Sequence, residues 1–338
     1  MQKSNLDAIL MGGSGSTGSS LLKNILGRHT QIFASQETSL FAKEKLYTDW
    51  SYSKNRIFKT RWRGLKNYGF HRYAQVDFYL DEIDLSTTQI KQLIKTSATL
   101  PDFANALFNK KTSEKNVQYW LEKTPANSCQ FKNFQNSFPT SKIIHTVRHP
   151  LDAIASMMAR GHDPYYAICI YLVNTACGLS CRNDENYIEV KYEDLVNTSD
   201  QTLQKICADL KLEFQSNMLQ PKQEGHIQVT KLEGWQYDET QAVGSKSINR
   251  FEKLEIEQQH EILSAVASIR INEFGRRFYQ TNISSIHEIS EILEYDIRLS
   301  DLPKPINSQY LKKFKRRDQV KRALFNYPYG FWNYPIDI

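Results

Sequence analysis

The first residues able to do chemistry lie near the start of the chain. Gly13, Ser14, Gly15, Ser16, Thr17, Gly18, Ser19 and Ser20 repeat the spacing GxxxxGK[ST] of a nucleotide-binding loop, with Ser19 standing where that pattern has lysine. Glycines let backbone N–H groups close around an anion, and a helix starting after the loop adds unpaired N–H donors and partial positive charge. The loop can therefore hold a phosphate-like group. Without the lysine, and with no apolar strand ending in an acidic residue to help hold magnesium, triphosphate hydrolysis is poorly supported. A donor that reacts without a metal fits better. The plain alternative is a Gly/Ser turn with no ligand, and its position between an apolar run and a helical one argues against that.

A second constellation comprises Arg148, His149, Pro150, Asp152, Ser156 and Arg160. Arg148 falls at the end of an expected strand, where its planar fork can meet a phosphate. Ser156 and Arg160 are four residues apart on the helix that follows, hence on one face, and can complete an anion pocket. A surface arginine in an ordinary salt bridge is the competing reading for each guanidinium.

These residues need elements to position them. Asp7–Met11 is an apolar run ending in glycines, and Leu21–Leu26 has helical spacing. Further strands are expected at Gln31–Ala34, Tyr119–Leu121, Lys142–Val147 and Tyr187–Val190. Helices are expected at Asn127–Asn136, Pro150–Arg160 and Ser199–Leu210. Strands alternating with helices imply an α/β protein, here a P-loop-type three-layer fold with a central parallel sheet. His149-Pro150 gives a sharp helix start, since proline suits the first turn. In such sheets ligands gather at the carboxyl ends of the strands. From about 41 to 117 the pattern turns polar and helix-rich, which reads as a helical insertion over the active site, on the acceptor side. About 256–338 reads as C-terminal helices and a tail. Residues 1–338 read as a single domain.

Composition is that of a globular chain, with 40% hydrophobic and 24% charged residues, and a net charge of +6 suits an anionic ligand or a solvated surface equally. Five cysteines with no CxxC pair point to reduced core thiols rather than zinc. With no apolar run of transmembrane length and no room for a signal peptide before Asp7, a cytoplasmic protein is expected. The basic-aromatic stretch from Arg61 to Arg72 could bind an acidic peptide or anionic glycan, or could be a solvated helix. The basic run from Lys312 to Arg322 keeps open a nucleic-acid or anionic-surface binder, although no nucleic-acid partner is expected.

Taken together, the loop from Gly12 to Leu22, the Arg148 to Ser156 spacing, the run Glu122, Lys123, Thr124, Pro125 and the run Lys191, Tyr192, Glu193, Asp194, Leu195 resemble the PAPS-dependent sulfotransferases. The pattern is most similar to the tyrosylprotein and bacterial carbohydrate branch, and it covers roughly residues 5–45, 118–212 and 240–255. The resemblance implies transfer of a sulfuryl group from 3′-phosphoadenosine-5′-phosphosulfate (PAPS) to a hydroxyl, releasing 3′-phosphoadenosine-5′-phosphate (PAP), with no metal. It places Gly15, Ser16, Thr17, Gly18, Ser19 and Ser20 around the 5′-phosphosulfate. It puts Arg148 and Ser156 at the 3′-phosphate with Arg160 assisting, and Tyr192 near the donor. Lys246, Ser247 and Arg250 belong to a late loop closing over the nucleotide, with surface cations as the alternative.

Glu37 matches the glutamate serving as catalytic base, the alternative being a carboxylate at a helix start. Lys123 matches a lysine beside the bridging oxygen. One departure stands out: the family loop usually carries Arg or Lys where this chain has Ser16, and Lys123 is expected to compensate. The acceptor stays open among glycan, peptide tyrosine and small molecule, with carbohydrate favoured. A P-loop kinase or NTPase and a nucleotide-binding protein without transfer activity are the rival readings. The oligomeric state is left open, a homodimer included.

Overall fold

Short apolar runs separated by helical segments fold here into a sheet covered on both faces, which buries both sides of its central strands. The structure is a computed structural model that describes residues 7–35, 37–55, 57, 83–221, 227–229, 236–238, 243–297, 312 and 336–337. The stretch from Arg61 to Arg72 lies outside the described residues, as does the run from Lys312 to Arg322 apart from Lys312 itself.

Five strands, β1 (Asp7–Gly13), β2 (Ile32–Ala34), β3 (Tyr119–Lys123), β4 (Lys142–Val147) and β5 (Tyr187–Lys191), form a sheet in the order β2-β3-β1-β4-β5. Every pairing in it is parallel. The central-parallel-sheet α/β architecture expected from the sequence is the one observed. Period-two alternation assigns the faces. Ile9, Met11, Leu121 and Ile144 pack with the Ser19–Leu26 and Ser199–Asp209 helices. Ala8, Leu10, Trp120 and Ile143 pack on the other side with helices Thr87–Thr96, Leu100–Lys115 and Phe131–Ser137. Trp120 anchors that face, stacked 4.8 Å from Phe108 and 5.4 Å from Phe41 between ring centroids. A third cluster joins helices Pro150–Met158, Pro164–Leu179, Ile256–Ser268 and Ile286–Leu293.

Several boundaries differ by a residue or two from those expected on sequence pattern, and three of the differences bear on the site. β3 continues past Leu121 through Glu122 and Lys123, both buried, because hydrogen bonds to these charged groups replace the apolar contacts that define a strand by pattern. The segment after Thr124 begins as a 3₁₀ turn, Pro125–Gln130, before the Phe131–Ser137 helix. The helix beginning at Pro150 ends at Met158 rather than Arg160.

The described part of the 41–117 stretch is helical, with capping boxes at Ser86/Gln89 and Thr99/Asp102 starting its two longer helices. Strands β6 (Ile227–Val229) and β7 (Gln236–Asp238) form an antiparallel pair, and β8 (Arg270–Ile271) pairs antiparallel with β9 (Ile336–Asp337). All five cysteines are free thiols. Among the described residues no helix is long and apolar enough to cross a membrane.

Candidate active site

Because the five strands run the same way, their carboxyl ends open onto one edge, and each delivers an expected site residue there. The glycine-rich loop follows β1, Glu37 follows β2, Lys123 closes β3, Arg148 follows β4 and Tyr192 follows β5.

The loop is shaped from within. Thr17 Oγ1 donates to the Ser14 carbonyl at 2.9 Å and lies 2.8 Å from Thr146 Oγ1, which donates to the Gly12 carbonyl at 3.2 Å. The Thr17 hydroxyl is therefore engaged in holding the loop to β4. Gly18 has φ 82°, and a Cβ there would lie 2.5 Å from the Tyr192 ring. Only glycine serves both demands. Ser16 also adopts a left-handed conformation, φ 66°, a strained state for a residue with a side chain. The Ser19–Leu26 helix has Gly18 at its N-cap and no side-chain cap, so its first N–H groups face the loop without a side-chain acceptor.

Across the edge, Lys123 Nζ donates to Glu37 Oε2 at 2.9 Å and to Ser20 Oγ at 3.1 Å. The lysine side chain is buried, while that of Glu37 keeps 29% exposure. The pair thus joins a sheltered cation to a carboxylate that solvent or a substrate can reach. Beneath it, fully buried Glu122 accepts from Thr38 N, Thr38 Oγ1 and Thr124 Oγ1, each at 2.8 Å, and from Asn127 Nδ2 at 2.6 Å. Burial pushes the Glu122 carboxyl up from the usual range, and these four donors act against that shift. Glu122 ties the Glu37–Ser39 segment to β3.

On the other side of the loop the arginines converge. Buried Arg148 donates from Nη1 to the Ser16 carbonyl at 3.0 Å and from Nη2 to the Ser247 carbonyl, and its guanidinium sits 4.6 Å from the Tyr192 ring centroid. Burial lowers its pKa, and nearby Asp152 opposes that shift from 3.6 Å. Arg250 Nη2 donates to Ser247 Oγ at 3.2 Å. Arg160 donates from Nη2 to Ser16 Oγ. Burial, then Arg250 and Arg148, push the Arg160 guanidinium down, with Glu37 acting the other way. Buried nitrogens Arg148 Nε and Arg160 Nε have no hydrogen-bond partner among the described residues.

The sequence matches the family model described as "Sulfotransferase family" over residues 8–216, more than half of the chain. The chain belongs to the sulfotransferase family. Among solved structures, the sulfotransferase domain of the Synechococcus PCC 7002 olefin synthase is similar, with TM-score 0.52 at 19% identity, over 88% of this chain and 97% of that one. That similarity is one of fold. The sulfotransferase domain of the curacin biosynthetic pathway has TM-score 0.48 at 19% identity, over 88% and 99% of the two chains. A sulfotransferase from Alicyclobacillus acidocaldarius has TM-score 0.42 at 13% identity, over 86% and 97%. No curated protein sequence matches at a significant level.

Within this sulfotransferase-family fold, two groups of sequence-expected residues meet. Glu37, Lys123 and Ser20 form one, and Ser16, Arg148, Arg160, Ser247 and Arg250 the other. Ser156 is buried on the Pro150–Met158 helix, and Lys246 is exposed on the late segment. Three carboxylates that lie within the quoted sequence motifs, but are given no role by them, hold the site together. Glu122 organises the Glu37 segment. Asp152 accepts from Asn249 N at 2.7 Å and Phe251 N at 2.9 Å, docking the late segment beside Arg148. Glu193 accepts from His149 N at 3.0 Å and Tyr295 Oη at 2.8 Å, fixing the turn after Arg148. The signal that could find them is a carboxylate among residues otherwise expected in the core, which demands partners.

Proposed function

We propose that this chain transfers a sulfuryl group from PAPS to an acceptor hydroxyl, with Glu37 as base and Lys123 as the cation nearest the reacting bond. The observation that carries the reading is Lys123 bridging Glu37 and Ser20, which links a carboxylate at the rim to the anion-binding loop.

Three features support a fit to the donor. The Ser19–Leu26 helix start lacks a side-chain cap, Gly18 leaves a cradle beside Tyr192, and two buried guanidinium nitrogens next to the loop lack partners among the described residues. Loop N–H groups and Ser19 and Ser20 would hold the 5′-phosphosulfate, and Arg148 and Ser156, assisted by Arg160, the 3′-phosphate, with Ser247 and Arg250 beside them. Lys246, exposed on the same segment, would join them from the rim. PAPS, when bound, supplies the activated sulfuryl group.

The chain's own residues do the rest. Glu37 takes the acceptor's hydroxyl proton on a carboxylate oxygen as the acceptor oxygen bonds to sulfur and the bond to the 5′-phosphate oxygen breaks. Protonating Glu37 removes the charge that pairs with Lys123. The ammonium, still tied to Ser20, then faces the oxygen that gains negative charge. We take the acceptor to be a carbohydrate hydroxyl, with a peptide tyrosine as the alternative; either needs a base such as Glu37, since the phenol pKa is about 10 and that of a sugar hydroxyl lies well above it.

Glu37→Gln tests this reading. With labelled PAPS and a glycan fraction, the variant should retain donor binding and lose about 10²–10⁴ of the transfer rate. Unchanged transfer would remove Glu37 from the role.

A further inference from the structure

The late segment is shared between two surroundings. Ser247 meets the donor site, its carbonyl accepting from Arg148 and its Oγ from Arg250. Its neighbours Ile248, Asn249, Phe251 and Glu252 line a cavity of about 470 Å³ that no step of the transfer uses. That volume suits a small molecule. Buried Leu151, Leu263 and Ile297 give the cavity an apolar base, to which partly buried Phe251 and Tyr295 add aromatic rings. Its charge is one-sided: Asp152, Glu193, Glu252 and Asp296 line it and no lysine or arginine does, in a chain whose net charge is +6. Asp152 is held by the Asn249 and Phe251 amides, and Glu193 by His149 N and Tyr295 Oη. Glu252 and Asp296 are exposed at the mouth. The other titratable groups of the lining besides Tyr295 are His149 and His260. Two cations lie just outside it. Arg148, 3.6 Å from Asp152, makes its hydrogen bonds to Ser16 and Ser247, and Lys191, over the Tyr295 ring at 5.1 Å, donates to the Leu293 carbonyl at 2.7 Å.

We propose that this cavity binds an organic amine with an apolar body, and that its occupancy tightens the donor site by holding the late segment docked. An apolar base under an acidic mouth fits an alkylammonium, whose chain covers apolar surface while its charge meets carboxylates and aromatic rings. A metal ion is the poorer occupant, since among the described residues no three His, Cys, Asp or Glu side chains are placed to hold one. The coupling follows from the shared segment. Asn249 and Phe251 dock on Asp152, one residue to either side of the Ser247–Arg250 stretch that faces the donor. An occupant in contact with Phe251 and Glu252 favours the docked position, and so favours a nucleotide that depends on Arg148 and Ser247. By linkage the nucleotide tightens the amine by the same factor. Amine binding stands apart from the donor reading, whereas the coupling rests on it.

1,6-Diaminohexane and 1,6-hexanediol share a carbon chain and differ in charge. In calorimetric titration of the full chain, the diamine should bind at least about 10-fold more tightly than the diol. The double variant E252Q/D296N, which leaves the transfer residues in place, should weaken the diamine roughly 3- to 30-fold, as for the loss of two exposed charge pairs. L263W fills the base and should abolish binding; the charge variant decides the matter if L263W does not fold. With the wild type saturated by diamine, PAP should bind about 5-fold or more tightly, and the same diamine concentration should leave PAP affinity nearer its unassisted value in E252Q/D296N. Equal binding of diol and diamine, or full diamine affinity in the double variant, would overturn the cavity assignment. Unchanged PAP affinity with diamine bound would overturn the coupling. A chain that binds no PAP, with or without diamine, would sink the donor reading, and the diamine titration would still decide the cavity.

Discussion

At the scale of single residues, the site depends on carboxylates that never reach the ligand edge. Glu122 lies one position before Lys123, so the strand's alternation turns it away from its neighbour and into the protein, where four donors meet it. An amide in its place would set an NH₂ group against one of those donors. Glu122→Gln should therefore cost about 1–3 kcal/mol in urea denaturation and also lower transfer, because the Glu37 segment loses its tie to β3. Wild-type stability in the variant would show that the four donors find other acceptors. The residues with a chemical spacing, Glu37, Lys123 and Arg148, are legible in the sequence. The roles of Glu122 and Asp152 are not, since each ties in a distant segment, Thr38 for Glu122 and Asn249 and Phe251 for Asp152, and no spacing encodes those contacts.

At the scale of elements, strand-to-loop junctions are legible and helix ends are not. The Gly13–Gly18 pattern marks a turn because the left-handed φ at Gly18 is a local demand of the backbone; the close approach of Tyr192, a tertiary contact, excludes a side chain there as well. Gly18→Ala should cost at least about 1 kcal/mol from the left-handed backbone alone and weaken donor binding as Tyr192 is displaced. Calorimetry and thermal denaturation on the same sample would check both. Undiminished donor affinity would mean that the loop adapts without Tyr192. The Pro150 helix, in contrast, carries no stop signal before Gly161, so Arg160 reads as an extension of the Ser156 face. Tertiary contact with Ser16 puts it elsewhere.

At the scale of the whole molecule, alternating strand and helix patterns suffice to specify a parallel sheet, and a parallel sheet suffices to bring five strand ends to one edge. The fold class and the rough location of the site are legible in the sequence for that reason. Where the late segment docks is not, because it is placed by Asp152 and Arg148 rather than by any periodicity of its own. The central claim is that this edge holds a nucleotide bearing both a 5′-phosphosulfate and a 3′-phosphate. Its most direct test is titration of the full chain with PAPS and with adenosine 5′-phosphosulfate in the presence of EDTA, for the wild type and Arg148→Ala. The wild type should bind PAPS more tightly, by roughly 10- to 100-fold for a buried guanidinium on the 3′-phosphate, and the variant should lose that preference. A wild type that does not distinguish the two ligands, or a variant that still does, would rule that claim out.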